Sequence, residues 1–324
     1  MRSPTVFSHF DKKKKPLFMA TNDEDLIQER DGEYRNSKTA LVLGVRMPPF
    51  QATGFKDFIE NFQTRHDDVF IVGFPRSGLF SDILGTTWLQ EVTWQIFNGG
   101  EVTQVPIGHR VQFFDEATFP HTTQPDITTR PSPRLMKTHQ PFHTIPKGTS
   151  EESRCKYIYV ARNPLDAVVS YYNFESKMAP ITDYSGPFEF FADMFIKGQV
   201  YWGPWTEHVL EWWRHKDDKN VLFLKYEDVK KDLPSQIRLI TKFLGKSLTE
   251  DMVDTIAKQC TFDAMKNNSS AYWMMTRDGE LPNFLRKGQV GGWKDYFTPE
   301  LIQRFEKEVL SRLDGSGLQF DLGQ

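Results

Sequence analysis

KYIYVARNPLDAVVSYYNF, residues 156–174, changes its periodicity half-way. The first six residues are apolar or aromatic at almost every position, the pattern of a strand covered on both faces. From Asn163 onward the spacing is helical. Asn163 can cap, Pro164 suits the first helical position, and Leu165, Val168, Val169 and Tyr172 form one inward stripe. A strand leading directly into a helix is the repeating unit of a parallel sheet with crossover helices. Three other runs fit the same sheet: VFIVGF (residues 69–74), RLMKTH (134–139) and VLFLKY (221–226). After the last of these, DLPSQIRLITKFLG puts Ile237, Ile240 and Leu244 on one helical face, with Gly245 as the stop. The predicted fold class is α/β, a single domain with a central parallel sheet flanked by helices.

Composition narrows the classes further. The chain has 324 residues, 39% hydrophobic and 14% aromatic, enough for one large core. A net charge of −3 argues against a general nucleic-acid binder, whose phosphate contacts demand a basic excess. The two cysteines, Cys155 and Cys260, offer no disulfide framework and no metal-ligand spacing. No apolar run reaches the roughly 18 residues of a membrane span, and the N-terminus lacks a signal-peptide core, so a soluble, cytoplasmic protein is expected. Residues 1–38 are polar and irregular, with the run DKKKK, and read as a flexible tail before a domain over 39–324.

The polar residues at the strand ends carry the functional signal: PRSG, KTH, ARN and YED. In open α/β sheets ligands bind beyond the carboxyl ends of the strands, where loop amides and helix N-termini present partial positive charge. These ends therefore predict one anion site. Gly73 and Gly78 have the glycine spacing of a nucleotide-triphosphate loop. Leu79 and Phe80, however, stand where that loop needs Lys and Ser or Thr, which disfavours an NTPase or kinase. Arg76 still supplies charge, Ser77 a hydroxyl and Gly78 a close backbone approach.

Together these motifs resemble the cytosolic sulfotransferases, which use 3′-phosphoadenosine 5′-phosphosulfate. FPRSG and TTWLQE are similar to the family's 5′-phosphosulfate loop, LMKTHQP to its catalytic segment, YVARNPLDAVVSYYNF to its 3′-phosphate motif, and RKGQVGGWKDYFT to its C-terminal signature. The likeness runs from about residue 44 to near the C-terminus, with the motifs in family order. It implies a P-loop-like sulfotransferase fold, the phosphosulfate nucleotide as cosubstrate, no metal, and a small apolar acceptor with a hydroxyl or amine. By this resemblance His139 is the general base, a role suited to an imidazole that titrates near neutral pH. Lys137, on the same side of an extended strand, and Arg76 would stabilise charge on the leaving oxygen.

The resemblance also assigns the nucleotide contacts. Arg76, Ser77, Gly78, Thr86 and Thr87 match the 5′ loop, and Arg162 and Ser170 the 3′-phosphate ligands. Trp88, Tyr226, Phe262 and Met265 match residues around adenine, flanked by Cys260 and Thr261; core packing is the competing role for Trp88 and Phe262. Phe284, Leu285, Arg286, Lys287 and Gly288 match the signature loop. Phe174 matches an acceptor-pocket position, and Phe113, Phe114 and Phe142 are further candidates, although 27 phenylalanines favour core packing for any one.

Several departures qualify the likeness. Arg76 replaces the usual Lys of the loop, and Gly292 the usual Asp of the signature. The family's homodimer motif is altered at Pro299 and Gln303. Above all, LFSDILG (residues 79–85) interrupts the loop. Two outcomes are open: the insert bulges and leaves TTW at the helix start, or Ser81 caps a longer helix. The second would displace Thr86, Thr87 and Trp88 by about 10 Å at ~1.5 Å per residue. A catalytically weak or inactive nucleotide-binding relative is therefore the alternative function.

Overall fold

The computed structural model describes residues 26–77, 86–119, 122, 124–266, 268–271 and 290–323. Two small antiparallel ladders come first: β1 (Arg30–Asp31) with β2 (Tyr34–Arg35), and β3 (Ala40–Val42) with β4 (Val45–Met47). The sheet predicted from the sequence follows, made of β5 (Val69–Val72), β6 (Gln112–Phe113), β7 (Leu135–Thr138), β8 (Lys156–Ala161) and β9 (Val221–Lys225). Its order is β6-β7-β5-β8-β9, and every pairing is parallel. All five strands therefore end at one edge. β6 has no counterpart in the sequence reading, because two residues are too few to show a period.

Strand alternation divides the core in two. Phe70, Val72, Met136, Tyr157 and Tyr159 face the helix Pro164–Thr182, whereas Val69, Ile71, Leu135, Ile158 and Val160 face helices Thr87–Phe97 and Leu233–Leu244. The predicted helix signals hold. Asn163 accepts the Asp166 amide as N-cap, Pro164 is the first helical residue, and Gly245 ends Leu233–Leu244 with φ 69°.

Two expectations are corrected. The tail boundary at residue 38 is too late, since residues 26–38 pack on the domain. Ile27 bridges Thr39, Arg35 bridges Ser185, and Asn36 and Ser37 are buried. These short polar side chains find partners far away, Asn36 on the Gln199 carbonyl and Ser37 on Glu175, which local polarity does not reveal. Residues 1–25 lie outside the described residues.

The second correction concerns the longer helix. The helix begins at Thr87 with Thr86 at its N-cap. A Cβ added to Gly73 would stand 2.9 Å from the Val160 carbonyl and 3.2 Å from Thr86 Cγ2. Thr86 thus lies against the end of β5 despite seven extra residues between the loop halves, and the 10 Å displacement does not arise. The insert and Gly78 fall outside the described residues. No helix among the described residues is long and apolar enough to cross a membrane.

Candidate active site

The register of β5 with β7 pairs Val72 with Thr138, so the next residues, Gly73 and His139, leave the sheet side by side. His139 Nδ1 lies 2.6 Å from the Gly73 carbonyl. A carbonyl only accepts, so Nδ1 carries the proton and Nε2 is left with a lone pair. Burial, reinforced by the Lys137 charge, holds the imidazole pKa well below its usual value, which keeps the ring neutral. Phe113 meets the His139 ring edge-on at 5.5 Å, and Trp202 sits 4.9 Å away.

β6 pairs Phe113 with Lys137, and Lys137 Nζ lies 3.6 Å from the centre of that ring. Burial pushes the Lys137 ammonium down to about 8, opposed by the neighbouring carboxylates of Asp115 and Glu116. Burial likewise pushes Glu116 up to about 8, opposed by the Lys137 charge. Asp115, also raised by burial, accepts the His139 backbone N–H at 3.1 Å and the Gln140 amide at 2.6 Å.

From the end of β5, Arg76 crosses to the long helix. Its φ is 72°, its Nε donates to Ser170 Oγ at 3.3 Å, and its guanidinium lies 5.0 Å from the Phe174 ring. Residues expected around the phosphosulfate, the 3′-phosphate and the acceptor thus meet in one place. Ser77 is fully buried, and its Oγ has no hydrogen-bond partner among the described residues. At the end of β8, Arg162 is buried over the Tyr226 ring at 4.6 Å.

The matches with known proteins fit this geometry. Residues 66–317 match the Sulfotransferase domain family. The chain belongs to the sulfotransferase family. Sulfotransferase 1C2 of Homo sapiens is 35% identical over 87% of this chain and 95% of its own length. Sulfotransferase 1 family member D1 of Mus musculus is 37% identical over 81% and 88%. Among solved structures, retinol dehydratase in complex with androsterone and inactive cofactor PAP aligns at TM-score 0.73 and 26% identity, over 88% of this chain and 91% of that one. A mouse sulfotransferase complexed with PAP aligns at 0.68 and 30%, over 86% and 95%.

Of the acceptor-pocket candidates in this sulfotransferase, Phe114 is a core residue and Phe142 is half-buried against the core. Phe114 is fully buried among Phe55, Phe58, Phe62 and Phe70, because the chain turns after β6 and points it to the opposite side from Phe113. Phe142 stacks on His215 at 3.6 Å and meets Trp212 edge-on. Trp88 is buried and donates Nε1–H to the Cys260 carbonyl at 2.9 Å. Cys260 and Met265 are buried beside it, Tyr226 is buried under Arg162, and Thr261 is exposed. Thr86 and Thr87 are buried at the helix start. The side chain of Phe262 and all of Phe284, Leu285, Arg286, Lys287 and Gly288 lie outside the described residues.

Sequence reasoning missed Trp202, Asp115, Glu116 and Asp166. Trp202 adopts φ 57°, a conformation that no motif around it announces. Asp166 Oδ2 accepts the Gly291 amide at 2.9 Å and Oδ1 the Trp293 amide at 3.0 Å, which ties the end of the C-terminal signature to the start of the long helix. Asp166→Ala would leave those two backbone donors without their acceptor, while the Asn163 side-chain amide keeps Glu227. We expect it to cost about 1–3 kcal/mol in denaturant unfolding, and a loss below about 0.5 kcal/mol would show the tie to be dispensable.

Proposed function

We propose that the chain moves a sulfuryl group from 3′-phosphoadenosine 5′-phosphosulfate to a hydroxyl or amine of a small acceptor, with His139 as general base. The observation that carries this reading is the His139–Gly73 hydrogen bond, which leaves Nε2 as a neutral proton acceptor beside Lys137. The nucleotide's chemistry suits the residues present: buried guanidinium groups at Arg76 and Arg162, and the buried Ser77 hydroxyl, which has no partner among the described residues. The donor supplies an activated sulfuryl group on a phosphate leaving group. His139 Nε2 takes the acceptor proton. Lys137 and Arg76 hold positive charge where the leaving oxygen becomes negative, and Phe113, Trp202 and Phe174 bring apolar surface to the base and to Arg76. An apolar, ring-bearing acceptor fits those walls.

Incubation with labelled donor and a panel of phenols, alcohols, steroids and amines tests the reading, and label should pass to at least one acceptor. Binding of 3′-phosphoadenosine 5′-phosphate (PAP) without transfer to any acceptor would favour the nucleotide-binding alternative. Excising residues 79–85 joins Gly78 directly to Thr86 in the sequence, and is expected to raise donor affinity. Unchanged or weaker affinity would show that the insert does not impair the site.

Lys137 adds a pH signature. Burial depresses its pKa, so the ammonium is present below about 8 and lost above it. kcat/KM for donor, which reports the free enzyme, should fall about tenfold per pH unit above that point. Lys137→Arg keeps its charge and should abolish the fall. A wild-type profile that stays flat well above 8 would remove Lys137 from donor recognition.

A further inference from the structure

The general base sits in a chain of hydrogen bonds. Gly73 accepts from His139 Nδ1, and the His139 carbonyl in turn lies 2.9 Å from His208 Nε2. That carbonyl can only accept, so His208 carries its proton on Nε2 and offers Nδ1 as an acceptor. The Tyr159 hydroxyl is 2.9 Å from Nδ1 and must be the donor there. The His208 ring in turn packs against Phe74, the residue that follows Gly73. The chain of contacts therefore starts and ends at the carboxyl end of β5.

Every member is buried. His208 is 2% exposed, Tyr159 0% and His139 7%. Burial pushes His208 down to about 4, so it remains neutral and its tautomer is set by Tyr159 and the His139 carbonyl. His208 lies on the helix Trp205–Arg214, and its ring meets Phe74 edge-on at 5.5 Å. Among the described residues its ring nitrogens bond Tyr159 and the His139 carbonyl, and neither of these is a group assigned to the nucleotide.

On the reading of His139 as the base, we infer that His208 and Tyr159 are positioning residues. They fix the backbone of His139, and with it the direction of Nε2, by tying that residue to the strand end from which the nucleotide loop departs. Asp115 holds the His139 N–H from the opposite side. With N–H, C=O and Nδ1 all engaged, the ring has one orientation, and a base misplaced by a fraction of an ångström loses rate without losing ligand affinity.

His208→Leu is expected to lower kcat about 10- to 100-fold while PAP affinity, measured by calorimetry, and acceptor KM change little. His208→Gln, whose amide nitrogen reaches the place of Nε2, should recover most of kcat. In the His139→Ala background the loss from His208→Leu should shrink to about twofold or less, since a positioning residue has nothing left to position. An equal loss in both backgrounds, or wild-type kcat in His208→Leu, overturns the inference. If His208→Leu does not fold, Tyr159→Phe, which removes one oxygen, makes the same comparison. It should lower kcat in the parent and leave the His139→Ala rate unchanged. Full turnover in His139→Ala would overturn the base assignment itself. Loss there, with normal kcat in both His208→Leu and Tyr159→Phe, overturns the positioning inference alone.

Discussion

His139→Ala is expected to lower kcat by about 10²- to 10⁴-fold, the range that a positioned general base contributes. PAP binding should survive, because the hydrogen bond from Arg76 to Ser170 and the packing of Arg162 on Tyr226 do not involve the imidazole. Stability should fall modestly, since the Gly73 carbonyl loses its donor, a change worth about 1–3 kcal/mol. Single-turnover rates with labelled donor, alongside calorimetry with PAP, separate the two effects. A variant that binds PAP and turns over within a few-fold of the parent would take His139 out of the chemistry. Loss of PAP binding in parallel with the rate would mean a structural role.

The second large effect belongs to Arg162. Arg162→Ala should raise the dissociation constant of PAP about 10- to 100-fold while leaving that of AMP nearly unchanged, because a charge-assisted hydrogen bond is worth about 1.5–3 kcal/mol. AMP is the control for packing: Arg162 also covers the Tyr226 ring and lies 3.8 Å from Asp166, so its removal disturbs more than one contact. Arg162→Lys, which keeps the charge and loses the planar fork, should fall between the two. An equal loss for both nucleotides would assign Arg162 to packing and not to the 3′-phosphate.

Much of this molecule is written locally. The four long strands, the capped helix after Asn163, the stop at Gly245 and the sequence of strand-end motifs were all legible, because each depends on residues within one or two turns of each other. Lys137 and His139 were legible for the same reason: a period of two places both on one side of an extended segment.

What was not legible depends on partners far apart in sequence. Phe113 and Phe114 look equivalent in the chain, yet the register with β7 puts one on Lys137 while the other goes into the core. The polar segment 26–38 reads as solvent-exposed, but its Asn36 and Ser37 are paired with residues beyond position 170. The insert between Gly78 and Thr86 left the helix start undetermined, and packing of Thr86 against Gly73 decided it. His139 itself shows the division. Its presence at a strand end is a property of the sequence, but its tautomer is not. That is set by a carbonyl 66 residues earlier, because the proton follows the nearest obligate acceptor and only the folded chain brings one within reach.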